Sequence, residues 1–352
     1  MTKIYFDSII YLVTVLQKLV KPANEKTPAG VFYFLGVYVL SEKIDIKPFL
    51  SYEDQIAKLR EKNLVVKNQE YAIKLLKKHS YFALISGYKK PFKNKDKTYK
   101  KNTTVEDIYA LYSFDNDLRN LIFSKILQVE NNIKSLISYA FSEKYGNSQH
   151  EYLNAINYNY TTKNQKGINE LITKLQAILE KPNYYGHIQY HKKKYNNVPL
   201  WNIIKVLTLG TISKMYSYYP ETLQTNICKD LEQISKGQLE KMLAILTLAR
   251  NVCAHNGRLF NYTYCKSTID DCVIHEKLQI KKRNDQFVQG KEDLFAIVIT
   301  FKYLLDKEDF STFCKDLDSL FLTLKSKTNQ IQQPQLFRYM GFPENWREIE
   351  GC

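Results

Sequence analysis

The chain has 352 residues, 44% hydrophobic and 25% charged, which excludes a disordered chain and leaves room for two or three domains around a buried core. Only 12 glycines and 9 prolines are present, too few for the frequent turns of a sandwich or barrel, so long helices are favoured. Lys and Arg number 51 against 36 Asp and Glu, a formal charge of +15 that suits nucleic acid or an anionic membrane surface, although a Lys-rich proteome gives the same excess.

The first 20 residues are apolar but interrupted by Asp7, and Val31 to Leu40 is an apolar run broken by Gly36. Neither reaches the ~18 residues of a membrane helix, and no A-x-A cleavage site follows. Residues 1–45 therefore read as an N-terminal extension of unassigned role. A second region, 46–102, opens with Ser51 as an N-cap, Glu53 and Asp54 in the first turn, and Ile56 and Leu59 beginning an apolar stripe. From Ser86 to Lys101 it turns basic. Lys89, Lys90, Lys93 and Lys95 alternate there with Tyr88, Phe92 and Tyr99. Lysines neutralise phosphates and rings stack on unpaired bases, which makes these four lysines candidate RNA contacts. A solvated loop has the same composition.

Region 103–265 carries the strongest helical signals. Thr103 to Glu106 reads as a capping box, apolar residues recur at helical spacing from Leu118 to Ala140, and Gly146 is placed as a stop. The spacing predicts a helix, or a closely bent pair, over 105–145. Arg119 and Glu130, eleven residues apart, share one of its faces as supporting candidates. Pro199 opens a further helix with Trp201, Ile204 and Leu207 inward. Ser235 and Gln238 cap another whose face from Leu239 to Ala249 is apolar nearly all round, the mark of a buried central element. Helices of this length with few turns make an all-α bundle. Region 266–352 stays unassigned.

The buried helix ends in Arg250-Asn251-Val252-Cys253-Ala254-His255-Asn256-Gly257-Arg258. Asn251, His255 and Arg258 stand at i, i+4 and i+7, Arg250 on their flank, and Gly257 is placed to end the helix. One reading is structural: polar groups satisfied by neighbouring helices, Glu130 among them. The other is RNA scission. RNA supplies its own nucleophile, the ribose 2′-OH, so the reaction needs a group titrating near neutrality, which histidine is, and a permanent forked cation for the crowded phosphorane, which arginine is. Asn251 would orient the imidazole or a phosphate oxygen, and Arg258 would contact RNA. The six cysteines (Cys228, Cys253, Cys265, Cys272, Cys314, Cys352) include no CxxC and read as reduced cytosolic thiols. A zinc set of Cys253, His255, Cys265, Cys272 and His275 lacks paired short spacings, so no metal is expected.

Several segments, in order from about 46 to 262, carry a resemblance. These are Lys47 to Ile56, Leu84-Ile85-Ser86-Gly87-Tyr88, Pro91-Phe92, Leu111 to Asp115 with Leu118-Arg119, Glu130, Ser142 to Gly146, Pro199-Leu200-Trp201 with Leu209-Gly210, and Ala249 to Asn261. Together they resemble the Abi-like (AbiD/AbiF-type) abortive-infection proteins, and Arg250 to His255 resembles the Arg-x4-His motif of the HEPN ribonuclease superfamily. Asn116 departs from the pattern, standing where the family often has a basic residue. The resemblance implies a HEPN-type helical bundle with N- and C-terminal helical additions. It further implies a toxin of bacterial phage defence that cuts RNA without a metal or other cofactor and leaves 2′,3′-cyclic phosphate and 5′-OH ends. Arg250, Asn251 and His255 would be catalytic, in a site completed by homodimerisation, and a structured noncoding RNA is a further expected partner. On this reading the protein is cytoplasmic, and neither DNA nor a membrane is an expected partner. Two other functions remain open at this point: a non-catalytic RNA-binding module on the same fold, and a membrane-directed toxin using residues 1–40.

Overall fold

Capping chemistry sets the ends of the two helices on which the molecule is built. The structure is a computed structural model that describes residues 48–231, 234–263 and 267–352; the expectations for residues 1–45 and for Cys265 lie outside the described residues. Helices α1 (Tyr52–Arg60) and α2 (Gln69–His79) lead to a π-helical turn, Phe82–Ser86, and the basic loop. Helix α3 (Val105–Tyr145) follows as one unbroken element of 41 residues, about 60 Å long at 1.5 Å per residue. Its N-cap is Thr104, one residue later than the sequence indicates, because Asp107 closes the capping box. The Thr104 N–H donates to Asp107 Oδ2 at 2.8 Å and the Asp107 N–H to Thr104 Oγ1 at 3.1 Å. The helix stops at Gly146, whose φ of +89° suits a residue without Cβ.

Short helices α4 (Gln149–Tyr152), α5 (Gln165–Glu180), α6 (Gly186–Tyr195), α7 (Leu200–Ile203), α8 (Leu209–Ser217) and α9 (Glu221–Cys228) come next. Helix α10 (Lys236–Ala254) then starts from a Ser235–Gln238 capping box, as its sequence predicts, and buries Leu239, Met242, Leu243, Ile245, Leu246 and Ala249. One expectation fails in α7: Trp201 is 42% exposed, while Ile204 and Leu207 are buried. The helix lasts only four residues before a 3-10 turn, so Leu200 and Ile203 take its inward positions.

The C-terminal region adds α11 (Val273–Lys277), a hairpin of β1 (Lys282–Arg283) and β2 (Gln286–Phe287), α12 (Leu294–Leu304), α13 (Lys307–Lys327) and α14 (Gln333–Met340). Every residue of α12 from Leu294 to Phe301 is buried, Thr300 included, because its hydroxyl donates to the Ala296 carbonyl at 2.8 Å. Helix α13 packs along α3, with Phe114 and Phe321 stacked at 5.7 Å and Lys125 paired to Asp309 at 3.2 Å. Side chains from residues 52–102, 103–265 and 266–352 thus share one buried core. No helix among the described residues is long and apolar enough to cross a membrane.

Candidate active site at the end of the buried helix

Helices α3 and α10 run antiparallel. Phe123 meets Arg250, while Asp115, two turns earlier in α3, meets the chain just beyond α10. That end of α10 is a Schellman motif: the Gly257 N–H donates to the Val252 carbonyl at 2.8 Å and the Asn256 N–H to the Cys253 carbonyl at 3.2 Å. Asn256, at φ +53°, occupies the left-handed position, so Gly257 is not the terminator that its composition suggests. It lies instead against Val252, where an added Cβ would sit 3.0 Å from the Val252 side chain. The helix closes at Ala254 with His255 as its C-cap.

One buried carboxylate fixes this turn. Asp115, with no solvent exposure, accepts the Tyr88 hydroxyl at 2.5 Å, Arg119 Nη1 at 2.7 Å, the Leu259 N–H at 3.1 Å and the Phe260 N–H at 2.6 Å. Burial pushes the Asp115 carboxyl upward, and these donors pull against it. Arg119 continues the network to the Gly257 carbonyl at 3.3 Å and to Asn116 Oδ1 at 3.1 Å. Tyr88 stacks on Phe260 with ring centroids 5.9 Å apart, and Arg258 donates to the Gly87 carbonyl. Three sequence-distant segments, 87–88, 115–119 and 257–260, therefore close on one point. Arg119 is a bracing residue here. Asp115, Tyr88 and Gly87 were visible in the sequence only as parts of longer motifs; an Asp one helical turn before Arg119 on an apolar stripe was the signal for the first.

Around that fixed turn the catalytic candidates face outward. Asn251 and His255 are exposed, and the Asn251 carbonyl accepts the His255 backbone N–H at 3.1 Å. Arg250 is half-buried, with its guanidinium carbon 5.9 Å from the centre of the Phe123 ring. Its Nε is buried without a hydrogen-bond partner, and among the described residues no carboxylate pairs with it. Glu130, the partner that a structural arginine would want, is bonded instead to Lys134 at 2.7 Å. Seven residues beyond Phe123, it lies about 10 Å further along α3. Arg258 is exposed but off the helix, because α10 ends four residues earlier; the i, i+4, i+7 face therefore holds only Asn251 and His255.

The basic loop leaves this point directly. Lys89, Lys90, Lys93 and Lys95 follow Tyr88, and burial together with the charges of Lys62 and Lys89 pulls Lys93 downward. Lys93 reaches the Lys97 carbonyl and lies 4.4 Å from the centre of the Tyr99 ring. The interleaved rings do not face solvent: Tyr88, Phe92 and Tyr99 are buried in the core. Base stacking in this loop, expected from the sequence, is thereby withdrawn, since hydrophobic burial has claimed those ring faces.

Of the described members of the cysteine–histidine set, only Cys272 and His275 meet, at 3.1 Å. Burial pushes the Cys253 thiol up to about 12, while buried His275 is held by the Cys272 N–H at 3.2 Å and the Gly290 carbonyl at 3.0 Å and stacks on Phe287. Among the described residues, no group of three His, Cys, Asp or Glu side chains is placed to hold a metal ion. A cleft of about 820 Å³ beside Lys302 and Phe310, and one of about 530 Å³ beside Trp201 and Tyr139, are not lined by Arg250, Asn251 or His255.

Fold and site together define an all-helical protein whose longest helix braces the polar tip of a buried one. Residues 74–261, more than half of the chain, match the family model described as Abi-like protein, and the chain belongs to that family. No curated protein and no solved structure matches it.

Proposed function

We propose that the protein is an endoribonuclease toxin of the abortive-infection type, with Arg250, Asn251 and His255 as a HEPN-type site. The observation that carries this reading is the state of Arg250: a half-buried guanidinium with an orphaned Nε and no carboxylate partner, beside an exposed histidine on a rigidly braced turn. A buried arginine is ordinarily paired; one left without an internal anion suits an external one, such as a phosphate.

In the proposed reaction the ribose 2′-oxygen attacks the neighbouring phosphorus, its proton passing to a base, and the 5′-oxygen leaves with a proton from an acid. The products are a 2′,3′-cyclic phosphate and a 5′-OH. Arg250 would hold the equatorial oxygens of the phosphorane through its fork. One chain offers one His255, so a second copy would complete the acid–base pair at the open surface.

The test is cleavage of RNA by the purified full chain in EDTA, with end-group analysis and sedimentation. Expected are persistent cleavage, 5′-OH ends, a dimer, and folded but inactive His255→Ala, Arg250→Ala and Arg250→Lys variants. Strict Mg²⁺ dependence with 5′-phosphate ends, or wild-type cutting by His255→Ala, would overturn the mechanism.

A further inference from the structure

Between Glu180 and Glu221 the chain has no acidic residue, and it carries six lysines there: Lys181, Lys192, Lys193, Lys194, Lys205 and Lys214. Helix α6 lies within this span and is unusual in what it leaves outside. Ile188 is the one side chain of the helix that is fully buried. Eight tyrosines are exposed among the described residues, and three of them, Tyr184, Tyr190 and Tyr195, fall within twelve positions here. Lys194 links two of them, its ammonium 5.3 Å from the Tyr190 ring centre, 5.2 Å from that of Tyr195, and 2.9 Å from the Tyr190 hydroxyl. The two rings stand edge to face with centroids 6.3 Å apart, and Lys192 pins the helix through the Leu179 carbonyl at 2.7 Å.

Folding thus spends little of this helix on the core and holds its rings in place at the surface. Exposed rings, those of Tyr190 and Tyr195 each contacted by Lys194 and His191, amid lysines in a stretch of sequence without acids match a polyanion whose bases are unstacked. We infer that the α6 face and the turn before it, through Tyr184, Tyr190, Tyr195, Lys193 and Lys194, form a binding surface for single-stranded RNA, separate from the helix end that carries His255. The basic loop at 89–95 has charge but no open rings, so the two surfaces divide the work: one grips phosphates, the other also reads unpaired bases by stacking. An anionic membrane is the weaker fit, because α6 turns no aliphatic side chain outward to enter lipid. RNA as the partner rests on the proposed function, but binding needs none of the cleavage residues.

The experiment uses the full chain with His255→Ala as background and reads anisotropy of a labelled single-stranded oligouridylate across salt concentrations. Tyr190→Ala with Tyr195→Ala should weaken binding about tenfold or more with the salt slope unchanged. Tyr190→Phe with Tyr195→Phe should bind like the parent, since the rings remain. Lys193→Gln with Lys194→Gln should flatten the slope by about 1.4. Photocrosslinking from 4-thiouridine should reach the 184–195 peptide. Unchanged binding in the alanine and glutamine variants, crosslinks only elsewhere, or variants impaired only on phosphatidylserine vesicles would overturn the inference. Cleavage by the unaltered chain is scored separately. Binding through α6 without cutting strikes the catalytic reading alone, and cutting with all variants binding normally strikes this surface alone.

Discussion

At the scale of single residues, Asp115 and Arg250 behave as opposites. Asp115 meets four donors inside the protein, so Asp115→Asn should strand Arg119 and cost about 3–5 kcal/mol in a urea unfolding curve. Tyr88→Phe removes one donor and should cost about 1–3 kcal/mol. Arg250→Ala, removing a cation that has no internal anion and only the Phe123 ring beside it, should leave the melting temperature nearly unchanged; a fall of several degrees would make Arg250 architectural. Asp293 offers a pH test. It caps α12 through the Ala296 N–H at 3.1 Å, and burial pushes its carboxyl up to about 7. The unfolded carboxyl titrates near ~3.9, so the folded state binds the extra proton between the two values, and stability is full below the lower and lost as pH rises through the higher. Thermal melts should therefore fall from pH 5 to pH 8 in the parent. In Asp293→Asn, which keeps a capping oxygen but carries no charge, that part of the fall should vanish. Arg250 and His255 stand out in the sequence as candidates because their chemistry is their own. Asp115 shows there only as an acid one turn before Arg119, because its full role exists only once residues 88, 259 and 260 surround it.

At the scale of elements, both N-caps of α3 and α10 are legible to within a residue, since capping boxes and apolar periodicity act over a few positions, whereas α10 stops short of Arg258, which its spacing had put on the helix. The basic loop was half legible. Its lysines could be read from composition, whereas the fate of Phe92 and Tyr99 depended on packing that no local window contains. Helix α6 leaves no mark in the sequence pattern, since a polar helix with a single buried Ile188 has no periodic stripe to detect. With its rings buried, the loop can contribute only charge. Replacing Lys89, Lys90, Lys93 and Lys95 by Gln should weaken RNA binding at low salt and reduce the salt slope by about 3 for a single strand. Affinity that stays the same at every salt concentration would return the stretch to an ordinary solvated loop.

At the scale of the whole molecule, the C-terminal region is part of the frame. Phe313, Leu317, Phe321 and Leu324 of α13 are buried. At about 1.5–3 kcal/mol each, four such side chains supply roughly 6–12 kcal/mol, comparable to the entire stability of a domain. A chain ending at residue 306 should thus be insoluble or lack a cooperative melt; soluble, cooperatively melting protein would show that α3 does not need this cover. The buried carboxylate also sets a timetable. Asp115 leaves the ribosome about 145 positions ahead of Phe260, its most distant donor. At roughly 5–20 residues per second, it waits about 7–30 s for that contact, and closing so long a loop comes late in any case. Until then the turn bearing His255 has no seat, so the helix end is shaped only when most of the chain has already been made.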